Sequence, residues 1–224
     1  RIRYLQLQLW NERREIWPTN TPDTPLDVLQ PGVALRILGY QLESAHALEE
    51  TFLRGDAVQI AGEIDPERKI VRISSRYSKD EQLFTAAHEL THVLLNHNLT
   101  AEDGKIHRDR SFGSRSQVST SRQEREADWG AACFLMPRRI VTQKFFENFR
   151  TVRFTLNDDT AFSLCTKSID AVIARYRTQR DISFLLSTSI AYGGVAIAPL
   201  HRIFGVSPKA MAIMLEQYNL IATV

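Results

Sequence analysis

Between Ala57 and His97 the apolar residues change period, and this change constrains the chain more than any other feature. AVQIAGEIDPERKIVRIS alternates apolar and polar positions on both sides of Asp65-Pro66-Glu67-Arg68. That is the pattern of two antiparallel strands joined by a turn. From Lys79 to His97 the apolar residues Leu83, Phe84, Ala87, Leu90, Val93 and Leu94 recur at helical spacing, with Ser78 or Asp80 placed to cap the start. The expectation is an α+β fold in which a small twisted sheet packs on that helix.

The flanking sequence sets the rest of the organisation. Residues 1–25 begin amphipathic and end in the turn-rich WPTNTPDTP, an expected N-terminal arm. A core is expected over 26–150, starting with a helix around Leu26–Leu38, a short strand near Tyr40 and a return through His46 and Leu48. Residues 98–122 are polar and rich in Ser and Arg, and read as a loop, a lid or an insertion. A second helix is expected from Arg122 to Met136, stopped at Pro137. Further helices are expected at 137–148, 159–177, 182–191 and 208–219, so 151–224 reads as a helical C-terminal region with an end like a helix-turn-helix.

At 224 residues the chain can bury a sizeable core. Its formal net charge of +2 is too near balance to attract a polyanion through its overall field. Cys133 and Cys165 form no CxxC pair, which fits a reducing cytoplasm without a disulfide framework. The uncharged stretch Ile182–Leu200 almost reaches membrane-spanning length, but its hydroxyl residues, Gly193-Gly194 and Pro199 favour a buried helix that breaks at the glycine pair. No secretory signal is visible in the first residues and no membrane partner is expected.

The helix carries AAHELTHVLLNH. His88 and His92 stand four apart, about 40° apart around a helix axis, so both imidazoles project from one face toward a shared ion. Glu89 lies beside them, placed to take a proton from an activated water without being a ligand. By the same helical count His97 lies about 180° from His88 and is excluded as a ligand. A third ligand is available 32 residues beyond His92, in RQEREADWGAACFLMP. There Glu124 and Asp128 share a face, while Glu126 is rotated roughly 200° from Glu124 and is expected to point away. Glu124 is assigned as the ligand, and Asp128 as the acceptor for the free nitrogen of a ligand histidine. One Zn2+ per chain is the expected cofactor.

These residues together resemble the ImmA/IrrE-type zinc metallopeptidases. The resemblance rests on His88-Glu89-Leu90-Thr91-His92, the acidic stretch Glu124 to Asp128, Ala131-Ala132, Leu135-Met136-Pro137 and the closing FGVSPKAMAIMLEQYNLI. It covers about residues 55–140 and 200–221. Thr91 stands where such proteins often have Gly, and Asp128 where they often have Asn. The resemblance implies a zincin-like domain and a zinc-dependent endopeptidase, a regulatory protease that cleaves a helix-turn-helix transcriptional repressor.

Substrate is placed along the strand of Ile70, Val71, Arg72 and Ile73, paired in extended form at a sheet edge, with an internal strand equally open. His107, Tyr192 and His201 are candidates to stabilise an oxyanion by residue type alone. The alternative function is a DNA-binding or adaptor protein that uses the C-terminal segment, with a structural or inactive metal site. Its second helix carries few base-reading residues, so direct nucleic-acid binding is not expected.

Overall fold

The computed structural model describes residues 1–46, 48, 51–53, 56–58, 60–97, 107–110, 122–164 and 169–222, with the backbone alone for 51–53, 56–58 and 107–110. Its contacts divide the chain into two units, Arg1–Leu135 and Met136–Val224.

The first unit begins with α1 (Ile2–Asn11) and the single turn α2 (Arg13–Ile16). Residues 1–25 therefore contain regular structure. Leu5 and Leu9 of α1 are buried. α3 is shorter than its apolar pattern allowed, Pro31–Ile37, because Pro31 occupies the first turn, where a missing N–H costs nothing. β1 (Gln41–Ala45) follows, with β2 (Thr51–Leu53) and β3 (Asp56–Val58) as a small separate pair.

β4 (Ile60–Asp65) and β5 (Ile70–Ser74) form the expected antiparallel pair. Asp65 Oδ1 accepts the Arg68 N–H at 2.9 Å. Lys69 takes a left-handed backbone at φ 56°. Together they reverse the chain. α4 (Lys79–Leu95) then carries the histidines, β6 (His107–Arg110) pairs with β4, and α5 (Arg122–Leu135) carries the acidic residues. The main sheet runs β1-β5-β4-β6, with β1 parallel to β5 and the other pairings antiparallel.

This order corrects the placement of substrate along Ile70, Val71, Arg72 and Ile73. β5 is hydrogen-bonded on both sides, so it has no edge to offer an extended peptide. Side chains alternate between the two faces of a strand. Gly62 is turned toward Glu89 and Thr85 of α4. Ile64, Val71 and Ile73 share that face through the pairs Gly62↔Ile73 and Ile64↔Val71. Arg72 lies on the other face, with Glu63 at 3.0 Å and Glu43 at 3.2 Å. The hydrogen bonds that Arg72 donates to these two carboxylates raise its pKa further, so it is a structural cation between three strands.

α4 begins where Ser78 donates its N–H (3.0 Å) and its hydroxyl (2.6 Å) to Glu81 Oε2, which fixes the first turn. It packs on β4 and β5 and on α5. α1 braces the far ends of both helices. Arg1 donates to the Leu94 and Leu95 carbonyls of α4, and Gln6 donates to the Cys133 and Phe134 carbonyls of α5. These contacts satisfy acceptors that a helix C-terminus leaves open.

The second unit contains α6 (Arg138–Phe149), α7 (Asp158–Leu164), α8 (Ile169–Arg175), α9 (Gln179–Thr188), β7 (Ala191–Tyr192), β8 (Val195–Ala196), α10 (Leu200–Ile203) and α11 (Pro208–Gln217). Within the helix expected over 159–177, the described residues are helical in α7 and α8, and residues 165–168 lie outside the described set. α9 ends at Thr188. The glycine pair that was expected to break a longer helix instead turns β7 into β8, with φ of 58° at Gly193 and 76° at Gly194. Two successive positive φ values suit the tight hairpin turn that glycine favours. Phe145, Phe149, Phe154 and Tyr192 form an aromatic cluster, and α9 packs on α11. Along α11 Met211, Ala212, Met214 and Leu215 are buried, while Lys209 and Gln217 are its exposed residues. Among the described residues no helix is long and apolar enough to cross a membrane.

Candidate metal centre

The i, i+4 spacing on α4 brings the two histidines together, both almost fully buried. His88 Nε2 and His92 Nε2 are 3.0 Å apart. Glu124 reaches them from α5, with Oε2 3.2 Å from His88 Nε2 and Oε1 3.6 Å from His92 Nε2. Among the described residues these three form a group able to hold one metal ion. With metal–ligand distances near 2.0–2.1 Å in a tetrahedron, ligand atoms stand about 3.3 Å apart. The observed separations bracket that value, and two imidazoles with one carboxylate are a donor set that suits zinc and leaves a fourth position open. The residues therefore fit the ion.

Each of the two histidines turns its other nitrogen to a neighbour. His88 Nδ1 lies 3.0 Å from Asp128 Oδ1. His92 Nδ1 lies 3.0 Å from His97 Nδ1, and His97 Nε2 lies 3.3 Å from Glu126 Oε2. Helical counting excluded His97 as a ligand, and it is not one of the three grouped residues. What the count did not foresee is that His97, and with it Glu126, stands behind His92. α4 ends at Leu95, and Asn96 takes a left-handed conformation at φ 54°. The Asn96 N–H then bonds the Val93 carbonyl, and the His97 N–H bonds the His92 carbonyl. This terminal turn carries His97 back over the last helical turn, where a helical wheel no longer applies. Glu126 meets His97 there and also accepts from Arg122 Nε at 2.7 Å. The Arg122 bond holds the Glu126 carboxyl below the usual carboxylate range. The signal for this arrangement was present in LLNH, since Asn is a common left-handed residue at a helix end.

Glu89 is fully buried on α4. Its carboxylate is confined by β4, where a β-carbon on Gly62 would lie 2.6 Å from Glu89 Oε1 and 2.7 Å from Thr85 Cγ2. Gly62 is therefore a residue of the site that motif reading missed. An isolated glycine within an alternating strand marks a close approach, and the β4–β6 register shifts between Ile60 and Gly62.

The oxyanion candidates are occupied elsewhere or are not described at the side chain. His201 Nδ1 bonds the Ser187 carbonyl, and Tyr192 packs in the aromatic cluster. The side chain of His107 lies outside the described set, as do residues 98–106 and 111–121 of the expected loop.

Comparison with known families finds a match to the model of the IrrE N-terminal-like domain, peptidase M78, over residues 46–160. That span contains both helices of the metal centre and three of the four strands of the main sheet, β4, β5 and β6. No curated protein matches the chain.

Proposed function

Because the chain belongs to the IrrE N-terminal-like domain family, whose peptidases are metal-dependent, we propose that it is a zinc-dependent endopeptidase. The observation that carries this reading is the convergence of His88 Nε2, His92 Nε2 and a Glu124 carboxylate oxygen from two helices. Zinc, when bound, supplies Lewis acidity that polarises a peptide carbonyl and makes water acidic enough to ionise near neutral pH.

The chain's own residues do the rest. His88, His92 and Glu124 would hold the ion. Asp128 accepts from His88 Nδ1, which keeps that ring oriented with Nε2 as its ligand atom. Glu89 takes the proton from the attacking water at its carboxylate and delivers it to the leaving amine nitrogen. Burial of Glu89 in α4, against Gly62, keeps the carboxylate in one place between the two transfers.

The substrate in this reading is a helix-turn-helix transcriptional repressor, cleaved in the cytoplasm so that repressed genes switch on. Its support is the family to which the residues around the site belong. The burial of α11 favours it over DNA binding by this chain, since few of that helix's side chains are available to read bases.

The test is to incubate the zinc-loaded chain with helix-turn-helix repressors, beginning with any encoded beside its gene, and to follow cleavage by mass spectrometry. A single cut, lost with a chelator and regained with zinc, is the expected result. An intact repressor in the presence of a metal-loaded chain would exclude that substrate.

A further inference from the structure

We propose that His97 is a positioning residue of the metal centre, through which Glu126 and Arg122 act on His92. This rests on the reading of His88, His92 and Glu124 as metal ligands. With His92 Nε2 turned to the ion, its Nδ1 must carry the hydrogen and donate it. The atom 3.0 Å away is His97 Nδ1, which therefore accepts. His97 must then hold its own hydrogen on Nε2, and the atom facing that nitrogen at 3.3 Å is Glu126 Oε2, an acceptor. The other Glu126 oxygen accepts from Arg122. Every hydrogen in the group Arg122, Glu126, His97 and His92 is then placed without conflict: His92 donates to His97, and His97 and Arg122 both donate to Glu126.

The two ligand histidines are thus oriented by different means. His88 donates directly to a carboxylate, Asp128. His92 donates to a neutral imidazole, itself oriented by a carboxylate. His97 is buried, at 8% exposure, and its ring stands edge-on to that of His92, with centroids 4.9 Å apart. It is held there by the bond from its own N–H to the His92 carbonyl. The three acidic residues of α5 consequently divide three tasks: Glu124 as ligand, Asp128 behind His88, and Glu126 behind His92 through His97.

The test measures zinc affinity of the full chain against a chromophoric chelator, and the visible absorption of the cobalt-loaded chain. The variants are His97→Phe, His97→Asn, Glu126→Gln and the double variant His97→Phe/Glu126→Gln. His97→Phe keeps a ring but offers no acceptor, and it is expected to weaken zinc binding by roughly 10–100-fold and shift the cobalt bands. His97→Asn offers an amide oxygen near the position of Nδ1 and is expected to recover most of that loss. Glu126→Gln is expected to weaken binding in the parent and to have no further effect beside His97→Phe. Unchanged affinity in His97→Phe, equal loss in the Phe and Asn variants, or additive losses in the double variant would each overturn the inference. Failure of the parent chain to bind zinc would instead overturn the metal-site reading beneath it.

Discussion

Gly130 of α5 faces Thr91 of α4 so closely that a β-carbon on Gly130 would lie 2.8 Å from Thr91 Oγ1 and 3.1 Å from its Cβ. Thr91 is fully buried, and its hydroxyl donates to the Ala87 carbonyl at 2.9 Å. With no side chain at Gly130, the two helices approach closely enough for Glu124 to reach His88 and His92.

Gly130→Ala separates two opposite effects. In an isolated helix Ala is favoured over Gly by about 1 kcal/mol. Against Thr91 it overpacks a closed contact, which typically costs about 1–3 kcal/mol. The expected result in chemical denaturation is net destabilisation, much reduced when Gly130→Ala is placed in a Thr91→Gly background. Stabilisation by Gly130→Ala alone would mean that the helices are not in contact there.

Gly62→Ala acts on the proposed base and not on the ligands. The added carbon meets Glu89 Oε1 and the stiff Thr85 side chain. Displacement of a catalytic group by about 1 Å can cost on the order of 10²-fold in rate. The expected outcome is a fall of that size in kcat with zinc content unchanged. Equal loss of zinc and activity would show that Gly62 supports the whole site and not the Glu89 carboxylate in particular.

How legible this site was depended on the regularity of the backbone. His88, His92, Glu124 and Asp128 could be grouped from spacing alone because each pair sits within a continuous helix, where residues four apart must share a face. The β4–β5 pair was legible from its alternation around Asp65-Pro66. His97 is no member of the three-residue group, but its place behind His92 could not be read because the helical count was carried past Asn96, whose left-handed backbone turns the chain. Glu126, on the regular helix α5, points off the Glu124 face, and what it meets there is His97. The internal position of β5 could not be read from its own residues. It depends on β1, a distant segment that pairs in parallel, and local pattern carries no record of such a partner. Along Gly193-Gly194 the residues signalled a break but not its form, a hairpin turn between two short strands.

Zinc binding should be visible as stability, because an ion held by groups from α4 and α5 binds the folded chain in preference to the unfolded one. At a free zinc concentration 100 times the dissociation constant, linkage contributes about 2.7 kcal/mol. The melting temperature of the parent chain is therefore expected to rise with zinc, and that of Glu124→Ala to rise little. A rise of equal size in both would place the ion elsewhere.

The most direct test of the account is the turnover of Glu89→Gln beside the parent, both loaded with zinc and each checked for one ion per chain by native mass spectrometry. Gln keeps the shape of the side chain but cannot accept and return a proton, and general acid–base groups contribute typically ~10²–10⁴-fold. The account predicts that Glu89→Gln retains its zinc ion and loses peptide cleavage by at least ~10²-fold. Cleavage at the parent rate by the zinc-loaded variant would contradict it.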